Sequence, residues 1–274
     1  MLETMLQNVR ERAPLVHNIT NYVTVNDCAN ILLACGASPI MADDPDDAEE
    51  ITAVCAALNL NIGTLNARTI PAMERAGRCA NALGHPVLLD PVGAGASSLR
   101  TNTAARLLDE LTIAAVRGNV SEIRALQLGA RATRGVDAAL EDRVTEENLP
   151  EAIAFAQAFS QRTGAVVAMT GAIDVVADAE RAYVIRNGCA MMGRITGAGC
   201  MLSAMTAAYL AANPGNFLEA CAAAVCAMGV CGEIARDKTA ALGAGNATFR
   251  TQLIDAVCNL TPEGLQERAR YELR

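Results

Sequence analysis

Thr196-Gly197-Ala198-Gly199-Cys200 stands directly before a run of small residues, Met201 to Ala212, that is patterned as a helix. Glycines let a backbone turn sharply and approach a ligand closely. The first N–H groups of a helix lack internal partners and lie at the positive end of its dipole. Such a turn either packs tightly or holds an anion, and phosphate is a common occupant. A thiol at this end, Cys200, is expected to have a lowered pKa. An anion hole carrying a candidate base points to phosphoryl transfer, with Cys200 as the catalytic group.

Five further places carry chemistry. Asp90 precedes Pro91 and is held extended at a strand end, where it either binds magnesium or caps a turn. Asn119 and Glu122 stand three apart, on one face of a helical turn. They suit either an ion with its water shell or a capping box. Arg117 offers a fork to phosphate oxygens or forms a structural ion pair. Thr170-Gly171 supplies a hydroxyl and an N–H to the same phosphates or makes a plain turn. Near the amino end, Asn18, Thr20 and Asn21 line a small-molecule pocket or serve as turn and cap residues.

These residues need a frame. Apolar runs at Ser38–Met41, Leu58–Ile62, Pro86–Leu89, Ile113–Val116 and Ala165–Met169 alternate with helical stretches at Val25–Cys35, Asp47–Ala57, Ala67–Leu83, Thr103–Glu110, Val120–Leu126 and Glu146–Gln161. The alternation predicts parallel strands joined by crossover helices. Ile173–Ala177 and Ala182–Ile185 form a hairpin at one end of the sheet. Beyond Gly199 the chain is helical, at Cys200–Ala212, Asn216–Arg236 and Ala247–Leu260. Ligands of open α/β sheets bind outside the carboxyl ends of the strands. Five successive apolar runs end there in Met41, Gly63-Thr64, Asp90 to Gly95, Arg117-Gly118-Asn119 and Thr170-Gly171. With no linker, repeat or composition break, residues 1–274 are expected to form a single domain.

Composition narrows the classes. A net charge of −8 with no basic patch argues against a nucleic-acid partner. The acidic run Asp43 to Glu50 begins a solvated helix. Ten cysteines without a Cys-x-x-Cys, mostly inside apolar segments, are expected to be small core residues of a cytoplasmic protein. Cys221, Cys226 and Cys231, five residues apart, turn by about 140° per step around a helix, which makes a poor metal clamp. His17 and His85 fit no zinc site or Ser-His-Asp triad. No uninterrupted apolar stretch is expected to reach the length of a membrane span.

Six segments occur together and in order: Val16-His17-Asn18-Ile19-Thr20-Asn21, Gly36 to Ala42, Asn61-Ile62-Gly63-Thr64-Leu65, Asp90 to Gly95, Arg117 to Glu122, and Gly197 to Cys200. In this combination the chain closely resembles the hydroxyethylthiazole kinase family of thiamine biosynthesis, from about Pro14 to about Leu260. The resemblance implies a ribokinase-like fold, an α/β three-layer αβα sandwich with a mostly parallel central sheet and no separate lid domain. It also implies magnesium-dependent transfer of the γ-phosphoryl of ATP to the primary alcohol of 4-methyl-5-(2-hydroxyethyl)thiazole. On this basis Met41, Gly197, Asn21 and Val23 are expected to bind the thiazole, and Arg117, Thr170 and Gly199 to bind ATP. Asp90, Asn119 and Glu122 are expected to organise Mg2+, and Cys200 stands where related sugar kinases carry an Asp base. A homotrimer with active sites between subunits is implied as well. The family more often has Gly-Thr-Gly-Cys, so Ala198 removes a hydroxyl while leaving the backbone anion hole. Competing expectations are a kinase for hydroxymethylpyrimidine or a sugar, an ATP-dependent NAD(P)H-hydrate dehydratase, and a non-catalytic nucleotide-binding module.

Overall fold

The computed structural model describes residues 1–128 and 143–274. In chain order the helices are α1 Leu2–Arg12, α2 Val25–Cys35, α3 Ala48–Val54, α4 Thr69–Leu83, α5 Ser98–Glu110, α6 Val120–Leu128, α7 Leu149–Thr163, α8 Ala198–Ala212, α9 Phe217–Ala241, α10 Asn246–Asn259 and α11 Pro262–Arg268. The strands are β1 Leu15–Ile19, β2 Ser38–Ile40, β3 Ala57–Asn61, β4 Val87–Asp90, β5 Ala115–Asn119, β6 Val166–Thr170, β7 Asp174–Ala177, β8 Ala182–Ile185 and β9 Tyr271–Leu273.

The strands make one sheet in the order β2-β1-β3-β4-β5-β6-β7-β8-β9. The first six are parallel and the last three antiparallel. The sheet is therefore mostly parallel, with the expected hairpin, β7–β8, at one end and β9 closing that edge. Strand side chains alternate between faces. Val16, Ala57, Leu88, Ala115 and Ala168 pack against α1, α2, α8 and α9. Ile19, Leu58, Leu60, Leu89, Val116 and Met169 pack against α3, α4, α5, α6 and α7. Helices on both faces give the three-layer α/β sandwich that the alternation of runs predicts, and they explain why these strands are apolar throughout.

Several expectations are corrected. Leu15–Ile19 is a strand, although His17 and Asn18 interrupt its apolar pattern; both are buried and take their partners inside the fold. Strand β5 continues through Arg117, Gly118 and Asn119, because these residues pair with Ala168, Met169 and Thr170 of β6. Helix α9 has 25 residues and is long and apolar enough to cross a membrane by length and composition. Its apolar surface is spent inside the protein, where Leu218 to Val230 are buried against α8 and the sheet. Six cysteines are core residues, but Cys79, Cys189 and Cys200 are half-buried and Cys258 is exposed. Asp43, Asp46, Asp47, Glu49 and Glu50 are exposed around the start of α3, as a solvated helix start requires.

The Ala-rich helices pack closely. A Cβ on Gly229 of α9 would lie 2.7 Å from Cβ of Asn187 and 2.8 Å from its carbonyl carbon. Backbone cannot yield as a flexible side chain can, so overpacking here should cost about 1–3 kcal/mol. Gly229→Ala is expected to lower stability by that amount in urea unfolding; an unchanged midpoint would show that α9 has room to shift.

Candidate active site

The sheet's order reverses between β1 and β3, which opens a crevice at their carboxyl ends. Asn21 stands just beyond β1 and Asn61 ends β3, one on each side of this switch point. The face of the sheet toward α8 carries Asn61, Asp90 and Arg117 across three neighbouring strands, with Asn61 and Asp90 in register. Thr170 ends β6 on the same face. Alternation of side chains thus aims four polar groups at the start of α8.

They form one network. Asn21 Nδ2 donates to Asn61 Oδ1 at 3.0 Å and to Cys200 Sγ at 3.2 Å. Asn61 Nδ2 donates to Asp90 Oδ2 at 2.8 Å and to Cys200 Sγ at 3.4 Å. Both amides have a settled orientation, because each carbonyl oxygen accepts from a backbone N–H, that of Thr24 for Asn21 and that of Gly63 for Asn61. Ser203 Oγ, one turn along α8 from Cys200, donates to Asp90 Oδ2 at 2.8 Å. Arg117 lies 3.9 Å from that carboxylate oxygen and donates to Thr170 Oγ1 at 2.6 Å.

Arg117 also lies across the beginning of α8. A Cβ on Gly199 would come within 2.4 Å of its guanidinium, so a larger residue there would push the Arg117 side chain away from the helix start. Gly197 has φ +87°, and a Cβ there would press on Thr24. Gly197 thus turns the chain into α8 as its place in the sequence suggested, and the side chain that lies against Gly199 is that of Arg117. Ala198 takes the place between the two glycines.

Electrostatics alter one expectation. Cys200 was expected to have a lowered thiol pKa. Instead burial pushes it up, with the nearby Asp90 adding to the effect, and hydrogen bonds from the surrounding side chains only partly offset this. Asp90 is wholly buried, and burial raises its carboxyl to about 6, against the opposing pull of Arg117, Ser203 and Asn61. Its second oxygen, Oδ1, is buried without a hydrogen-bond partner, as is Nε of Arg117. A second carboxylate, Asp174, accepts from the Gly171 N–H at 2.8 Å and is also raised by burial, against the charge of Arg117.

Asn119 and Glu122 form the capping box at the start of α6. Asn119 Oδ1 accepts from Glu122 N–H, and Glu122 Oε2 accepts from Asn119 N–H, each at 2.9 Å. The other carboxylate oxygen, Oε1, accepts from Gly93 N–H at 2.9 Å and ties the Asp90–Gly95 loop to this helix. Among the described residues no three His, Cys, Asp or Glu side chains make a metal cage. Magnesium asks for less, since it usually keeps waters and takes one or two carboxylates plus phosphates. The unpartnered oxygen of Asp90 and the spare lone pairs of Glu122 fit that form of binding.

The structure thus brings together Asn21, Asp90, Arg117, Thr170, Gly199 and Cys200, with Asn119 and Glu122 alongside. Met41 follows the edge strand β2 and packs against the core on the α8 side. Val23 is separate: it is 57 % exposed in the turn after Asn21, next to Tyr22 at 77 %. Sequence reasoning assigned no role to Asn61 or Ser203. The signal for Asn61 was available in Leu58-Asn59-Leu60-Asn61, where two amides alternate with leucines in a buried strand and must share a face.

This fold, with a glycine-marked helix start and a buried carboxylate meeting at the carboxyl ends of the parallel strands, is that of a ribokinase-like small-molecule kinase. The family model described as hydroxyethylthiazole kinase family matches residues 6–263. A hydroxyethylthiazole kinase from Clostridium acetobutylicum is 58% identical over 272 residues, 99% of each chain. The solved structure of a hydroxyethylthiazole kinase from Pyrococcus horikoshii is 34% identical, with a TM-score of 0.87, covering 100% of this chain and 98% of the other. A ribokinase-like superfamily protein from Enterococcus faecalis, 13% identical with a TM-score of 0.63 over 96% of this chain and 89% of its own, shares the fold alone. The chain belongs to the hydroxyethylthiazole kinase family.

Asp90 gives a test of the electrostatics. An unfolded Asp titrates near pH 3.9, so a folded value near 6 means the native state holds the extra proton between these limits. The group's contribution to stability is therefore fully present below about pH 4 and is lost as pH rises through about 6. In metal-free protein, Asp90→Asn should gain stability relative to wild type as pH rises from about 4 through about 6 in urea unfolding. Parallel stability curves would mean that Asp90 is not raised.

Proposed function

We propose that this protein phosphorylates the primary alcohol of 4-methyl-5-(2-hydroxyethyl)thiazole with ATP, as a single kinase domain of thiamine biosynthesis. Its family supports the reaction, and one observation carries the site: the Arg117 guanidinium lies over Gly199 at the positive end of α8, beside Cys200. This places fixed positive charge where a transferring phosphoryl group gathers negative charge, and phosphoryl transfer depends mostly on such positioning and neutralisation. Arg117, Thr170 and Gly199 hold the phosphates of ATP. Met41, Gly197 and Asn21 contact the thiazole, and Val23, outward-facing in a single copy, reaches it only at a site shared between copies. Asp90, Asn119 and Glu122 would hold Mg2+ directly or through its waters; when bound, it neutralises phosphate charge.

The alcohol oxygen attacks the γ-phosphorus, a new O–P bond forms, the bridge to the β-phosphate breaks, and ADP leaves with those electrons. The alcohol proton must go to a base. Cys200 Sγ receives two N–H donors from Asn21 and Asn61, an arrangement that steadies the sulfur and stabilises developing thiolate. Burial works against ionisation, so Cys200 holds and orients the alcohol more than it deprotonates it in advance. A general base contributes about 10²–10⁴-fold, and a thiol raised in this way belongs at or below the lower end.

The assay is ADP release from purified protein and Mg-ATP, with and without hydroxyethylthiazole, with the product identified by mass. Thiazole-dependent ADP and phosphorylated thiazole are expected. Turnover only with hydroxymethylpyrimidine, a sugar or hydrated nicotinamide nucleotide would move the protein to a sibling activity; ATP binding without turnover would make it a nucleotide-binding module. Cys200→Ala should lower kcat by up to about 10²-fold, and unchanged activity would remove the thiol from the mechanism.

Exposed Tyr22 and Val23 beside the site support a homotrimer in which a second copy covers them. Ten free cysteines agree with a cytoplasmic protein. Sedimentation equilibrium should give the trimer mass; a monomer at assay concentration would end the shared-site reading.

A further inference from the structure

His17 is wholly buried, and both of its ring nitrogens are engaged. Nδ1 lies 2.8 Å from Thr52 Oγ1 on α3, and Nε2 lies 2.8 Å from the carbonyl oxygen of Ala42. A carbonyl can only accept, so Nε2 must carry a proton. The Thr52 hydroxyl is also 2.7 Å from the Ala48 carbonyl. Burial holds the ring below the ordinary imidazole value, with the Asp47 charge and the Ala42 bond opposing. A neutral ring has one N–H, here committed to Ala42, and the single Thr52 hydroxyl proton is shared between the Ala48 carbonyl and the bare Nδ1.

The position of Ala42 gives this bond its consequence. β2 is a three-residue edge strand containing Pro39, which has no N–H. Its pairing with β1 ends at His17 opposite Ile40. Met41 and Ala42 lie just beyond, where the ladder no longer holds them. The acidic stretch that follows is tied by the exposed pairs Arg68–Asp44 and Arg75–Asp46, and exposed pairs are weak restraints. The His17 ring thus continues from β1 the restraint that β2 lacks, through a dry hydrogen bond.

We infer that His17 is a positioning residue for the acceptor substrate: its Nε2–H clamps the Ala42 carbonyl and so sets the place of Met41 in the site. This rests on the assignment of Met41 to the thiazole. His17 does not touch the reacting atoms, and nothing in the clamp bears on ATP.

Two substitutions divide the ring's bonds. In His17→Gln the side-chain amide nitrogen can reach the place of Nε2 and keep the bond to Ala42. In His17→Asn the shorter amide reaches only the place of Nδ1 and loses the clamp. His17→Asn is expected to raise the KM for hydroxyethylthiazole about three- to tenfold, the worth of one buried hydrogen bond, with the KM for ATP and kcat within about twofold of wild type. His17→Gln and Thr52→Val should stay within about threefold of wild type for all constants. Equal effects of the Asn and Gln variants, or an equal rise in both KM values, would overturn the clamp as a substrate-positioning device. Should the Asn or Gln variant fail to fold, nitrogen NMR of the wild-type imidazoles decides. The chain has only two histidines, so His85→Gln assigns the signals. A slowly exchanging Nε2–H with bare Nδ1 is expected; an Nδ1–H ring overturns the inference. Absence of thiazole turnover by wild type would refute the functional reading and with it the link to substrate, whereas normal turnover with an unshifted Asn variant would refute the clamp alone.

Discussion

A carboxylate with no access to water, Asp90 at the end of β4, is the constraint on which the rest of the site depends. Burying an ionisable group costs several kcal/mol unless polar partners meet it. Three partners do, and each comes from a different element: Asn61 from β3, Arg117 from β5 and Ser203 from α8. They can meet only if three strands are in the observed register and α8 lies across them. The parallel sheet, the small residues of α8 and the helix start at Gly197 are therefore parts of one arrangement. A shift of one residue in β4 would turn Asp90 toward the opposite layer of helices.

Around that carboxylate, charges of both signs stand close together. The positive end of α8 and Arg117 face the place where an anion would lie, while Asp90 and the Glu122 capping box stand on the other side. Cys200 lies where the two influences compete. A helix start lowers a thiol's pKa, but burial and the neighbouring carboxylate raise it, and they prevail. The helix effect fades within a turn and is modest, whereas loss of water acts on the whole charge of the thiolate. The two amides of Asn21 and Asn61 compensate in part, and they also hold the sulfur in one place.

Much of this frame was legible in the amino-acid pattern. Runs of apolar residues alternating with helical stretches announced a parallel sheet, and the polar residues at successive strand ends marked its working edge. The pattern failed where polar residues are buried on purpose. β1 was obscured by His17 and Asn18, whose partners Thr52, Ala42 and Asn59 lie far along the chain. Strand β5 looked finished at Val116 because Arg117-Gly118-Asn119 resembles a turn, yet pairing with β6 carries it onward. For Asn119 and Glu122 the two readings were never exclusive: the pair caps α6 and keeps lone pairs to spare.

The sequence by itself determined the fold class, the family and the glycine turn that starts α8, because each is written in neighbours a few residues apart or in motifs that recur in order. Only the tertiary structure decided that Asn61 and Ser203 belong to the site, that Cys200 is raised rather than lowered, and that Val23 faces outward. Those properties arise where six segments of chain meet, through Asn21, Asn61, Asp90, Arg117, Thr170 and, on α8, Cys200 and Ser203. Burial, and the dielectric that comes with it, depends on what lies across the gap, and no local pattern of residues carries that information.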